Sequence, residues 1–141
     1  MSVPFTKVYS FSTDLTNGKH DFSSHAYFIM MSNVAPSLSW TAKANVTECA
    51  QQNGYLTGGL QTTITKSNAS GVETLVGTSV VWTGTGGALP LMRYAWLYNN
   101  TQTTQAKPLV GYWDYGSSVA PALGQTFSVV IDGVAGFEAV G

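Results

Sequence analysis

Apolar and polar positions alternate with a period of two along most of the chain, and turn-forming residues separate the runs. That period sends successive side chains to opposite faces of a strand, so the chain reads as a series of short strands. Phe5–Phe11 (FTKVYSF) reads as a first extended segment. Ser12–Lys19 (STDLTNGK) reads as one short helical turn, capped by Ser12 or Thr13 and ended by Gly18. Ala26–Ser32 (AYFIMMS) is apolar on both faces, the mark of a strand covered on both sides. Ala44–Tyr55 (ANVTECAQQNGY) is the strongest helical pattern, with Asn45 and Glu48 spaced as a capping box and Asn53-Gly54 as its stop.

Further strands follow at Leu60–Ser67, Val72–Gly77 and Ser79–Gly84, with Asn68–Gly71 (NASG) supplying hairpin-turn chemistry between the first two. Leu91–Asn99 (LMRYAWLYN) pairs naturally with Pro108–Gly116 (PLVGYWDYG), leaving Asn99–Lys107 as an exposed loop. Gln125–Asp132 is a late strand, and Gly136–Val140 adds a last short one. The expected fold is all-β: a jelly-roll-like β-sandwich with one or two short helical turns. It forms a single domain over residues 1–141, with the terminal segments read either as first and last strands or as extended arms.

Composition narrows the function. Hydrophobic residues make up 44% of the 141 positions, enough for a core, whereas charged residues make up only 9%. The formal net charge of -1 offers no basic surplus to neutralise phosphates, which argues against nucleic acid as a partner. A surface with so few charges repels partners weakly and suits a subunit that lives against other proteins. No apolar run is long enough for a membrane-spanning helix, and Met1–Leu15 does not read as a secretory signal. Without such a signal, Asn45, Asn68 and Asn99 read as turn and loop residues rather than glycosylation acceptors.

Catalytic and metal-binding chemistry is sparse. Thr83–Ala88 (TGTGGA) has the glycines of a phosphate loop but not its Gly-Lys-Ser/Thr ending, so it reads as a turn or bulge. His20, Asp21 and His25 are too few for a zinc site and read as loop residues bonded to backbone. The single cysteine, Cys49, has no nearby His or second Cys to activate it and reads as a small core side chain. Asp114 is flanked by aromatics, where a raised pKa would suit an acid catalyst. Its simpler role is to fix a turn together with Ser117 and Ser118. No catalytic residue, cofactor or metal is assigned, and the chain is expected not to be an enzyme.

The aromatic row has two readings. Tyr94, Trp96 and Tyr98 share one strand face, with Tyr112, Trp113 and Tyr115 on the partner segment. Exposed, the row would be a stacking platform for sugars; buried, it would be core or subunit contact. Leu91, Ala95 and Leu97 make the opposite face apolar too, which favours an internal strand or an interface.

The ordered blocks TDLTNGKHDFSSHAYFIMMSNVAP, VTECAQQNGYLTGG, RYAWLYNN…KPLVGYWDYGSS and GQTFSVVIDGVAGF carry a resemblance. Together, from about Phe11 to Phe137, they resemble a family of small virion proteins of tailed bacteriophages, close to the capsid cement (decoration) proteins of short-tailed phages. Cys49 stands where that pattern has Ile, and Met92 and Trp96 are bulkier than expected. The resemblance implies a jelly-roll-like, non-enzymatic subunit, made in the bacterial cytoplasm. It would be a homodimer or higher oligomer on the outside of an HK97-type capsid, bridging major capsid protein subunits. The alternative is a tail or fibre component that binds host-surface carbohydrate through the aromatic strand.

Overall fold

The computed structural model describes residues 4–103 and 106–131. Asp132, the expected short strand at Gly136–Val140 and the expected C-terminal arm lie outside the described residues. The rest is an all-β sandwich built from antiparallel sheets, with one short helix.

Its principal sheet has five strands in the order β1-β8-β7-β2-β3: β1 (Phe5–Lys7), β8 (Leu109–Val119), β7 (Met92–Asn99), β2 (Tyr27–Ser32) and β3 (Leu60–Thr62). Every pairing in it is antiparallel. The near-continuous apolar runs of β2 and β7 put them inside this sheet, with backbone partners on both sides and buried side chains on both faces. β4 (Ile64–Ala69) and β5 (Val72–Gly77) form a hairpin, and β6 (Val80–Thr83) pairs with β9 (Thr126–Val129). Thr62 Oγ1 donates to the Thr78 carbonyl at 2.7 Å, tying β3 to the segment after the β4–β5 hairpin, and the Gly77 amide donates to the Ile131 carbonyl at 2.9 Å, joining the two smaller sheets.

The expected hairpin turn is present. Ser70 and Gly71 both have positive φ (54° and 84°), as a two-residue turn matching the strand twist demands. The first extended segment ends sooner than its pattern suggests. β1 stops at Lys7, and helix α1 (Phe11–Thr16) begins at Phe11, whose ring is buried against His20 and Phe22. Ser10, rather than Ser12 or Thr13, occupies the cap position and makes no side-chain cap bond; Gly18 follows the helix end with φ 75°. Phe5–Lys7 pairs with Gly111–Trp113 of the same chain, so this segment is a strand of the domain rather than an arm.

The expected helix at Ala44–Tyr55 does not form. Only a single 3-10 turn, Lys43–Asn45, is helical. Asn45 Oδ1 accepts the Thr41 and Ala42 amides at 3.1 Å, capping the turn before it rather than a helix after it. Thereafter the chain is extended, and the Cys49 amide donates to the Met31 carbonyl at 2.9 Å, along the edge of β2. A helix this short is marginal by itself, and the β-branched pair Val46-Thr47 weakens it further. Tertiary partners for Glu48 then decide the conformation: its Oε2 accepts the Tyr55 hydroxyl at 2.7 Å and the Gly58 amide at 2.6 Å.

Candidate contact surface

The aromatic row divides into a buried part and an exposed part. Tyr94, Trp96 and Tyr98 of β7 are all buried, Trp96 completely. Opposite Trp96 in the ladder lie Met30 on one side and Tyr112 on the other. The Trp96 ring is 5.0 Å from Tyr112 and 5.8 Å from Trp40, which arrives from the loop after β2. Tyr98 donates its hydroxyl to the Gly58 carbonyl at 2.6 Å, and Lys43 Nζ lies 5.7 Å from its ring centre. Trp113 is buried with its ring 4.6 Å from Phe5, and Tyr112 is half-buried. A sugar cannot stack on a face covered by protein, so the row on β7 is core and not a carbohydrate platform.

Strand β8 continues past this core, and its end differs from the expected turn. Residues 109–119 form one strand, yet Met92 pairs with Val119 while Tyr94 pairs with Asp114. The segment Tyr115–Ser118 is therefore surplus to the ladder and bulges outward, with Gly116 at φ 101°. Bulges of this kind re-aim side chains at a sheet end. All four bulge residues are exposed, and Tyr115 is 50% accessible.

Asp114 fixes the base of the bulge, accepting a backbone N–H two residues on as a turn-fixing Asp does. Its Oδ1 accepts Arg93 Nε and the Gly116 amide, each at 2.8 Å, and its Oδ2 accepts Arg93 Nη2 at 3.2 Å. The Arg93 guanidinium holds the Asp114 carboxyl below the usual carboxylate range, the opposite of what an acid catalyst needs. Ser118 Oγ donates to Asn33 Oδ1 at 2.7 Å, and Ser117 sits on the exposed side of the bulge. Of the turn-fixing trio, Asp114 and Ser118 thus anchor the bulge at its two ends.

Beside the bulge lies an open groove lined by Tyr115, Val119, Pro121, Gln125, Thr126 and Phe127, none of them charged. The Tyr115 ring meets the Phe127 ring edge-on at 5.1 Å. Leu123, at the tip of the adjoining turn, is 65% accessible, and Leu91 at the start of β7 is also exposed. Large apolar side chains on a surface mark contact sites when they gather with few charges.

The other candidates have structural partners. Asp21 accepts Ser23 N at 2.9 Å and Ser24 Oγ at 2.7 Å, a loop motif. His20 is buried and His25 half-buried, and no group of three His, Cys, Asp or Glu among the described residues is placed to hold a metal. Cys49 is half-buried and packs against the core. Its Sγ donates to the Leu91 carbonyl at 3.2 Å, and burial, with the Glu48 charge second, pushes its pKa up to about 11. Glu48 itself was legible only as a helix cap; nothing in its local sequence announces that it gathers Lys43, Tyr55 and Gly58. Among the described residues no helix is long and apolar enough to cross a membrane. No protein-family model matches the chain, and no curated protein or solved structure matches it either.

Proposed function

We propose that this protein is a non-enzymatic bacteriophage decoration protein, a dimer or higher oligomer that binds the outside of an HK97-type capsid and stabilises it by bridging major capsid protein subunits. The ordered sequence blocks that resemble small virion proteins supply the class. The structural observation that supports it is the division of the aromatic stretch: a buried sheet, and at its end a bulge beside an uncharged groove, with Tyr115 and nearby Leu123 exposed. A surface of this kind gains binding energy from modest apolar area, multiplied over many copies on a shell. The carboxylates Asp21, Glu48, Glu73 and Asp114 are each engaged with neighbouring side chains or amides, which suits binding better than acid–base chemistry.

Cryo-electron microscopy of intact particles tests the proposal. Density for this sandwich on the outer capsid surface is expected, together with earlier loss of infectivity on heating or osmotic shock in particles lacking it. Particles without the protein that withstand both stresses as well as wild type would overturn the reading.

A further inference from the structure

The loop between α1 and β2 is fastened to the sheet through two histidines. His20 is only 6% accessible and lies among aromatic rings: Phe11 at 5.2 Å, with Phe22 and Tyr27 each at 5.9 Å and near parallel. Its Nδ1 shares a hydrogen bond of 3.1 Å with the Tyr27 hydroxyl, and its buried Nε2 has no partner among the described residues. His25 Nδ1 accepts the Asn99 side-chain amide at 2.8 Å and the Asp21 backbone amide at 3.3 Å. The same Asn99 nitrogen donates to the Lys19 carbonyl at 3.1 Å and to the Tyr27 hydroxyl at 3.3 Å. One amide at the end of β7 therefore holds both ends of the loop.

The His20 site accepts only a neutral imidazole. A protonated ring carries an N–H on both nitrogens. At His20 a cation must sit in an apolar box where one N–H has no acceptor, a costly burial of charge. We propose that His20 is an acid-sensitive latch, which releases the Lys19–His25 loop from β2 and β7 on acidification while the rest of the sheet stays folded. The inference is independent of any capsid role.

Several ionisable groups stand around His20. They are Asp14 on α1, Lys19 and Asp21 in the loop, Tyr27 in β2, and Lys66 and Glu73, which line the same hollow from the β4–β5 hairpin. Ser24 and Ser23 hold the Asp21 carboxyl below its ordinary range, so it stays ionised in mildly acidic solution. Burial, with the His25 charge second, lowers His20 from 6.5 to about 4. Released, His20 regains its ordinary pKa. The opened state therefore binds the extra proton, and opening grows as pH falls from 6.5 towards 4.

Hydrogen exchange, compared as protection factors at pH 7 and pH 4.5, tests the latch. The loop amides are expected to lose on the order of 50- to 100-fold in protection, while β7 keeps its own. His20→Phe retains a ring in the box but no titrating nitrogen there and should abolish that loss. Flat loop protection in the wild type, or an undiminished acid response in His20→Phe, overturns the proposal. Should His20→Phe not fold, the imidazole carbon-bound proton resonances of the wild type decide. A His20 titration midpoint near 6.5 refutes the latch, and a ring still neutral at pH 5 supports it.

Discussion

Tyr55 joins Glu48 to the central sheet through one oxygen. Its hydroxyl donates to Glu48 Oε2 at 2.7 Å and accepts the Met31 amide at 2.8 Å. Burial, with the adjacent carboxylate in support, keeps this phenol protonated well above its ordinary range. Tyr55→Phe leaves a backbone N–H and a carboxylate short of a partner in a buried place. A loss of about 1–3 kcal/mol is expected, seen as a thermal midpoint lowered by several degrees. Glu48→Gln should lose less, because it keeps an acceptor for the Gly58 amide. A Tyr55→Phe protein that melts with the wild type would show that the bond contributes nothing.

Trp96→Ala separates core from platform. Removing a fully buried indole from a close-packed sheet costs about 3–5 kcal/mol, a large share of a domain's stability. Loss of near-ultraviolet circular dichroism and a broad, early unfolding transition are expected. A variant that melts like the wild type and differs only in ligand binding would mean that the residue faces solvent.

Cys49 is expected to be inert in the native protein. With the thiol pushed up to about 11 and hydrogen-bonded to the Leu91 carbonyl, little thiolate exists at neutral pH. Reaction with a disulfide reagent at pH 7.5 should be slower than in denaturant by roughly 100-fold or more. Equal rates in the two states would contradict the packing of this side chain.

Tyr115→Ser combined with Leu123→Ser tests the contact surface. Both side chains are at least half exposed, so the melting midpoint should move by no more than the equivalent of about 1 kcal/mol. Retention on purified capsids should fall at least tenfold, a change of about 1.4 kcal/mol per decade. Wild-type retention by the double variant would remove the groove from the contact.

The elements legible in the sequence are those whose pattern is long and whose burial is two-sided. β2 and β7 announce themselves because both faces are apolar, and β5 and the Ser70-Gly71 turn because turn chemistry brackets the strand. The Ala44–Tyr55 segment misleads because its helical signals are local, whereas Glu48 is recruited by Tyr55 and Gly58, partners that a capping pattern does not register. The stretch Tyr115–Ser118, after Asp114, looks like a turn because Asp, Gly and Ser favour turns. It is a bulge because β7 and β8 fall out of register between Tyr94 and Met92.

By itself, then, the amino-acid pattern determined an all-β chain with a two-faced apolar centre, since period and turn chemistry are local properties of the backbone. Tertiary structure alone decided which aromatics face solvent: the same alternation that lines up Tyr94, Trp96 and Tyr98 says nothing about what covers them. Trp40 closes over Trp96, and the register slip turns Tyr115 outward, because both depend on contacts between segments far apart in the chain.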